Sequence, residues 1–189
     1  MTGDGPFELI LRLANLFEAT GVAYAVGGSM ASSLIGEPRV SMDVDLAIRL
    51  VESTSETLLQ RLLAEFYVPE DSAREALARH SSFNVLDGPL KADLFVLGDG
   101  PLDRSQIERR VRMWFPDGRG PVWVTAPEDQ VLRKLDWYRA GGRASDNQWR
   151  DVVGILRIVG PTLDREHLRS MAELLGLSDD LASAFDAAD

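Results

Sequence analysis

The sequence predicts an α+β (α/β) protein with two parts, a region of strands and helices at residues 1–125 and a helical region at residues 126–189. In the first part, short apolar runs typical of buried strands alternate with segments of helical periodicity. Two pairs of strand-like runs are joined by turns that contain glycine and proline. After Pro127 the apolar residues recur at helical spacing, which indicates that the second part is helical.

The elements of the first part follow one another closely along the chain. A helix predicted at "PFELILRLANLFEATG" stops at Gly21, and the strand "VAYAV" (22–26) ends in Gly27 and Gly28. The helix "SMASSLIG" precedes the strand "VDLAIRL" (44–50), which is followed by the helix "STSETLLQRLLAEF" and a short helix at 72–79. Hairpins are predicted at "SFNVLDGPLKADLFVL" and "RRVRMWFPDGRGPVWVTA".

The composition excludes several kinds of site. The 189 residues include no cysteine and two histidines, which excludes disulfides, thiolate zinc sites and cysteine nucleophiles and disfavours histidine metal clusters. The formal net charge of −10 argues against binding nucleic acid through overall charge, although the segment from Arg133 to Arg150 has a local basic surplus. The start of the chain lacks a signal-peptide pattern and no run is long enough to cross a membrane, so we expect a cytoplasmic protein without a membrane partner.

A pair of carboxylates stands at the start of a predicted strand. Side chains two positions apart on a strand project to the same face, so Asp43 and Asp45 lie together while Val44 and Leu46 face the core. Their repulsion is relieved when a divalent cation such as Mg²⁺ lies between them. The alternative is a solvated strand end that carries two charges on its wet side.

Two further features strengthen the metal interpretation. Gly27 and Gly28 connect a strand directly to a helix that carries Ser29 in its first turn, which is an arrangement suited to binding phosphate. The alternative is an ordinary tight turn. Asp93 interrupts an otherwise apolar strand, where it is predicted either to complete a metal site or to pair with Lys91 or a nearby arginine.

These residues resemble the motif of the DNA polymerase β-like nucleotidyltransferase superfamily. The resemblance rests on Gly27-Gly28-Ser29, the run "DVDL" that begins at Asp43 after thirteen intervening residues, and Asp93 in a later strand. The segments "GEPR" with Ser41, and "PEDQVLRKLDWYR" with "SDNQWRDVVGIL", resemble the branch of AbiEii-type toxins of type IV toxin–antitoxin systems and related bacterial nucleotidyltransferases.

The resemblance implies a mixed β-sheet flanked by helices, with a C-terminal helical region. It implies transfer of a nucleoside monophosphate from a nucleoside triphosphate to an acceptor hydroxyl, with release of pyrophosphate and help from two Mg²⁺ ions, or Mn²⁺ in their place. The implied metal ligands are Asp43, Asp45 and Asp93, which together with Lys134 are the implied catalytic residues. The implied nucleotide-binding residues are Gly27, Gly28, Ser29, Arg39, Lys134 and Asp151.

Several alternatives stay open at this point. Lys134 and Asp151 form an interhelical ion pair in the simpler interpretation, and Arg39 then only caps its loop. The acceptor is an RNA end, a protein or a small hydroxylated molecule such as an aminoglycoside, and a toxin would have an antitoxin as partner. A non-catalytic nucleotide-binding module is a further alternative. An RNA-modifying enzyme should have a basic face near Asp43, with Arg139, Arg143 and Arg150, whereas a small-molecule enzyme should have a closed acidic pocket.

Overall fold

A computed structural model describes residues 5–38 and 42–189. Two residues of the predicted motif, Arg39 and Ser41, lie outside the described residues. The strands are β1 (Ala23–Val26), β2 (Val44–Arg49), β3 (Ser82–Asp87), β4 (Leu90–Val96), β5 (Val111–Trp114) and β6 (Pro121–Val124). The α-helices are α1 (Pro6–Thr20), α2 (Gly28–Ile35), α3 (Glu52–Glu65), α4 (Glu70–Arg79), α5 (Pro101–Glu108), α6 (Pro127–Ala140), α7 (Asp146–Val159), α8 (Arg165–Leu175) and α9 (Ser178–Ala188).

The six strands form one mixed sheet in the order β3-β4-β2-β1-β6-β5. The pairs β1–β2, β3–β4 and β5–β6 are antiparallel, whereas β2–β4 and β1–β6 are parallel. Helices flank this sheet, so the predicted α+β (α/β) class and the mixed sheet are confirmed. Both predicted hairpins are present, as β3–β4 and β5–β6.

The two faces of the sheet differ in side-chain size. On one face, large side chains such as Tyr24 and Ile48 join the main hydrophobic core, which α1 and α3 complete. On the other face, Ala25 and Ala47 form a small separate cluster with Leu97 and with Ile107 of α5. Small side chains on this second face leave room beside the sheet, which is where the candidate site lies.

Local signals explain where several helices begin and end. Helix α1 begins at Pro6, whose fixed φ suits a first helical turn, and ends at Gly21 in the left-handed conformation with φ of 70°. Helix α6 begins at Pro127 and carries Glu128 and Asp129 in its first turn, where acidic residues interact favourably with the helix dipole.

Helix α5 was not among the predicted elements. It is only eight residues long, and its buried apolar side chains Leu102 and Ile107 are five residues apart, so they show no helical repeat. The main hydrophobic core includes side chains from both predicted parts, for example Leu9 of α1 and Leu168 of α8. The division at residue 125 stays a prediction. Every helix within the described ranges is too short or too polar to cross a lipid bilayer.

Candidate active site

Asp45 and Asp93 lie side by side on adjacent parallel strands. They are paired in the register of β2 with β4, and both project from the face opposite the main core. Asp43 lies directly before β2 and is exposed, whereas Asp45 is half-buried. All three side chains line one polar cavity, called here the carboxylate cavity. The structure therefore brings together the three aspartates that the sequence singled out.

The glycine turn holds the backbone of α2 close to Asp45. The amide N–H of Gly27 donates a hydrogen bond of 2.9 Å to the carbonyl oxygen of Asp45. Gly28 has a φ of +57°, and a Cβ atom at this position would lie 1.7 Å from Oδ2 of Asp45. Only glycine leaves this space for the carboxylate. Ser29 lies in the first turn of α2 and lines the carboxylate cavity with Asp45.

Burial and the neighbouring carboxylates both raise the pKa of Asp45. Burial raises the pKa of Asp45, and the charges of Asp93 and Asp43 raise it further, whereas Lys134 and Lys91 lower it. Lys91 Nζ lies 2.9 Å from Oδ2 of Asp93, and this hydrogen bond raises the pKa of Lys91. The pairing of Asp93 with Lys91, one of the two alternatives from the sequence, is therefore present.

The donor set fits a hard cation. The aspartates offer carboxylate oxygens alone, which are the ligands that Mg²⁺ prefers. The pKa of Asp45 is raised chiefly by burial and further by the charges of Asp93 and Asp43, and a bound cation would offset those charges. Within residues 5–38 and 42–189, no three His, Cys, Asp or Glu side chains converge closely enough to hold a metal ion. Asp93 is instead turned to Lys91. The assignment of Asp43, Asp45 and Asp93 as metal ligands stays a prediction.

Lys134 and Asp151 form a buried ion pair between α6 and α7. Lys134 Nζ lies 2.9 Å from Oδ2 of Asp151, and each side chain is only 3% exposed. Lys134 nevertheless borders the carboxylate cavity, whereas Asp151 lines a separate groove with Ser32 and Glu37. The ion-pair alternative from the sequence is thus present. The roles of Lys134 and Asp151 in nucleotide binding stay predictions.

A second cavity adjoins the first. Its volume is about 280 Å³, and it lies between the sheet and helices α5 and α6. The two cavities share Asp45, Phe95 and Trp137, and the rings of this aromatic pair have centroids 5.6 Å apart. Because it borders β2 and β4 together with α5 and α6, this space is called here the sheet cavity.

Gln130 is a site residue that sequence reasoning missed. Its Nε2 atom donates hydrogen bonds of 2.7 Å to the carbonyl oxygen of Gly28 and 3.0 Å to Oγ of Ser32. The residue is 1% exposed, and its Oε1 atom has no hydrogen-bond partner among the described residues. Gln130 therefore fixes α6 to the glycine turn. A polar residue four positions before Lys134, next to the apolar Val131, was the available signal.

The beginning of α7 was also missed as part of the site. Ser145 caps this helix by accepting a hydrogen bond from the N–H of Gln148, and Asn147 lies between them. All three residues line the carboxylate cavity, as Ser29 does. They add polar side chains and the positive end of the α7 dipole to the wall of this cavity.

The basic segment does not form the free cationic face expected of an RNA-modifying enzyme. Arg139 donates to Asp136 at 3.0 Å, and Arg143 donates to Asp180 at 2.7 and 2.9 Å. Arg150 donates to Asn147. These arginines bond to their own chain, and the charged residues that line the carboxylate cavity are three aspartates and two lysines.

Comparison with solved structures identifies the fold. The chain is similar to an antigenic nucleotidyltransferase-like protein from Paracoccidioides brasiliensis, with a TM-score of 0.56 and 17% identity over 99% of this chain and 94% of that chain. It is similar to the antibiotic-resistance factor ANT(2'')-Ia, with a TM-score of 0.53 and 15% identity over 95% of this chain and 92% of that chain.

A second structure of ANT(2'')-Ia, in complex with adenylyl-2''-tobramycin, has a TM-score of 0.54 and 15% identity over 89% of this chain and 95% of that chain. No protein-family model and no curated protein sequence matches the chain. The fold is therefore that of nucleotidyltransferase-like proteins, and at these identities the similarity shows the fold alone.

Proposed function

We propose that the chain is a Mg²⁺-dependent nucleotidyltransferase that moves a nucleoside monophosphate from a nucleoside triphosphate to an acceptor hydroxyl. The observation that carries this proposal is the side-by-side placement of Asp45 and Asp93, with the carboxylate of Asp45 against the glycine turn of α2. A phosphate held at this helix terminus would lie beside carboxylates suited to binding its metal ions. The fold of nucleotidyltransferase-like proteins supports the same activity.

The transfer requires one bond to form and one to break. The acceptor oxygen bonds to the α-phosphorus, the bond from that phosphorus to the bridging oxygen of the β-phosphate breaks, and pyrophosphate leaves. Asp43, Asp45 and Asp93 would hold the metal ions, and Asp93 also accepts the proton of the acceptor hydroxyl. When bound, Mg²⁺, or Mn²⁺ in its place, would neutralise the charge on the attacking and leaving oxygens.

The remaining residues position the triphosphate. Gly27, Gly28 and Ser29 present the beginning of α2 to its phosphates. Lys134 adds a point charge at the wall of the carboxylate cavity, and Asp151 holds that lysine in place. We retain Arg39 as a further phosphate ligand on the basis of the family resemblance.

The acceptor separates two versions of this function. In one, the chain is a toxin of the AbiEii branch that acts on RNA or protein and has an antitoxin. In the other, it modifies a small hydroxylated molecule. The pairing of Arg139 and Arg143 with carboxylates of their own chain favours the small-molecule version, since it leaves the basic segment without a free cationic face for RNA. ANT(2'')-Ia, a neighbour in fold, has been solved with an adenylylated small molecule.

The proposal is tested by pyrophosphate release and label transfer. Purified chain is incubated with Mg²⁺, a cell extract and each of the four α-³²P-labelled nucleoside triphosphates, with and without EDTA. We expect transfer that EDTA abolishes and that Asp45→Asn or Asp93→Asn lowers by about 100-fold or more, the scale of losing a catalytic acid or base. Asp71→Asn, on the exposed surface of α4, is the matched control. Transfer that survives both site substitutions would overturn the proposal.

A further inference from the structure

The two cavities meet at one catalytic residue. Asp45 lines both, and the aromatic side chains of Phe95 and Trp137 stand at the same junction. In an in-line displacement the acceptor and the leaving pyrophosphate lie on opposite sides of the α-phosphorus. A residue that holds the metal at that phosphorus therefore has one reactant on each side. The two cavities that meet at Asp45 provide one space for each reactant.

The cavities differ in chemistry. The carboxylate cavity contains Ser29, Lys91 and Lys134, whose hydroxyl and ammonium groups suit a triphosphate. The sheet cavity is bordered by Ala47, Phe95 and Leu97 and therefore has an apolar floor. Gly27 and Gly28 border the sheet cavity, whereas Ser29, the next residue, lines the carboxylate cavity together with the three aspartates. A triphosphate held at the beginning of α2 would therefore have its metal ligands in the carboxylate cavity, and on the apolar floor it would lose hydration without comparable partners.

Among the described residues that line the sheet cavity, Arg133 is the one arginine, and it is already paired, as are Lys91 and Lys134 of the carboxylate cavity. Arg133 donates to Oε1 of Gln106 at 2.9 Å and also forms an ion pair with Asp103. Asp103 in turn accepts a hydrogen bond of 3.0 Å from the N–H of Gly98. These contacts make this wall a rigid and internally neutralised support.

Hydrogen-bond acceptors remain on the other walls. Oε1 of Gln130 is buried and has no partner among the described residues. Nδ1 of His80 lies 3.0 Å from the carbonyl oxygen of Leu97, and in the tautomer that donates this hydrogen bond from Nδ1, Nε2 is an acceptor. Both residues line the sheet cavity, which also receives the side chains of Ser81 and Ser82.

We propose that the sheet cavity is the acceptor pocket, and that the acceptor is a small hydroxylated molecule with one apolar face. This inference rests on the proposed function. The apolar face lies on Ala47, Phe95 and Leu97, while hydroxyl or amine donors reach Gln130 and His80. The reacting hydroxyl reaches the α-phosphorus beside Asp45, its oxygen replaces the bridging oxygen of pyrophosphate, and its proton passes to the carboxylate of Asp93.

The size of the sheet cavity supports a small acceptor. Pockets for small molecules span about 300–1,000 Å³, and the volume of the sheet cavity, about 280 Å³, lies just below that range. The cavity is bounded by the sheet on one side and by α5 and α6 on the other. An RNA end or a protein side chain would have to pass between these elements to reach Asp45 from this side.

Ser82→Phe tests this assignment at an exposed position. Ser82 lies on the edge strand β3 and lines the sheet cavity without lining the carboxylate cavity, so an aromatic ring there should fill the acceptor space alone. Val111→Phe places the same ring at an exposed position of β5, the opposite edge strand, and serves as control. Calorimetry with Mg²⁺ and a non-hydrolysable ATP or GTP analogue measures nucleotide binding for all three proteins.

Label transfer is measured on the same proteins with a cell extract separated into a small-molecule filtrate and a macromolecular fraction. Label in a phosphodiester resists phosphatase, which distinguishes product from unreacted triphosphate. We expect phosphatase-resistant label in the filtrate, a loss of at least tenfold in Ser82→Phe, an unchanged analogue Kd in that variant, and no change in Val111→Phe.

Each of the other outcomes overturns one part of the proposal. Label in RNA or protein leaves the nucleotidyltransferase proposal standing and overturns the small acceptor. Filtrate labelling that Ser82→Phe leaves unchanged overturns the sheet cavity as acceptor pocket. Loss of analogue binding in Ser82→Phe, with thermal unfolding unchanged, reverses the assignment of the two cavities. Absence of label from both fractions with wild-type protein overturns the proposed function itself.

Discussion

The carboxylate of Asp45 occupies the space into which a side chain at Gly28 would project. A Cβ atom on Gly28 would lie 1.7 Å from Oδ2 of Asp45, and the residue also has a φ of +57°. Gly28→Ala should therefore displace the carboxylate as well as strain the backbone. We expect transfer activity to fall by about 100-fold, the scale of a 1 Å misplacement in an active site. Steady-state kinetics with labelled triphosphate measures this loss.

Gly21→Ala separates displacement of Asp45 from backbone strain. Gly21 has a φ of +70°, and a Cβ atom there would have nothing within 4 Å. Both alanine variants should lose about 1–2 kcal/mol of unfolding free energy from the left-handed conformation, measured by urea denaturation. Gly21→Ala should keep its activity. Equal activity losses in the two variants would contradict a specific role for the space at Gly28.

Gln130 should affect nucleotide binding although it is predicted to touch no phosphate. Gln130→Ala removes the two hydrogen bonds to Gly28 and Ser32 and leaves the buried carbonyl of Gly28 without the amide donor. The unfolding free energy should fall by roughly 1–3 kcal/mol. The Kd for a non-hydrolysable triphosphate analogue should rise about tenfold, equivalent to about 1.4 kcal/mol.

The exposed Gln60 provides the matched control for Gln130. Gln60 donates to Glu56 at 2.9 Å on the surface of α3, so Gln60→Ala should change neither stability nor analogue binding appreciably. Calorimetric titration and urea denaturation on both variants make the comparison. Should Gln130→Ala lose stability but bind the analogue like wild type, Gln130 would have no part in positioning the glycine turn.

The features that the sequence predicted depend on local patterns. Strands β1 and β2 follow from short apolar runs, and the glycine turn follows from the adjacent Gly27 and Gly28. The alternative in which Asp93 pairs with Lys91 was also visible, because residues two apart on a strand share a face. Each of these inferences needed only a few consecutive residues.

The features that the sequence did not reveal depend on distant contacts. Gln130 is 102 residues from Gly28, and nothing near Gln130 indicates that its amide reaches the glycine turn. The sheet cavity arises because α5 packs over alanine-bearing strands, and α5 itself was too short to show a helical repeat. Folding brings these groups together across the chain, so single-sequence patterns do not contain them.

Asp164 should give the C-terminal helices a measurable pH dependence. It caps α8 by accepting a hydrogen bond of 3.0 Å from the N–H of His167, and this bond, with help from Arg109, holds the pKa of Asp164 below its ordinary value of 3.8. A carboxyl whose pKa is lower in the folded chain than in the unfolded chain stabilises the fold. This stabilisation is fully present at a pH above the pKa of the unfolded state, and it is lost as the pH falls through the pKa of the folded state.

Two substitutions of Asp164 separate the contribution of its charge to stability from the contribution of its capping oxygen. Asp164→Asn keeps an acceptor and removes the charge, whereas Asp164→Ala removes both. At pH 7 the melting temperature should fall in the order wild type, Asp164→Asn, Asp164→Ala. The difference in melting temperature between wild type and Asp164→Asn should close as the pH drops below 3.8. Differential scanning fluorimetry at a series of pH values measures this difference. A gap that is constant with pH would exclude the charge as its source.

Lys134 and Asp151 should be strongly coupled in stability because both charges are buried. Their side chains are each 3% exposed and lie 2.9 Å apart. Lys134→Met removes the ammonium group that lies beside the buried carboxylate of Asp151, and we expect a loss of about 3–5 kcal/mol of unfolding free energy. Adding Asp151→Asn removes the second charge and should restore about 0.5–3 kcal/mol, the usual coupling between contacting residues.

Urea denaturation of the two single variants, the double variant and an exposed control completes this cycle. Arg79 pairs with Glu75 at 3.1 Å, with side chains 74% and 61% exposed, so Arg79→Ala should cost about 0–1 kcal/mol. Additive losses in the Lys134 and Asp151 cycle would show that the pair contributes no coupling. Because Lys134 also borders the carboxylate cavity, the double variant should remain impaired in analogue binding even where its stability recovers. Restored binding in the double variant would assign Lys134 a structural role alone.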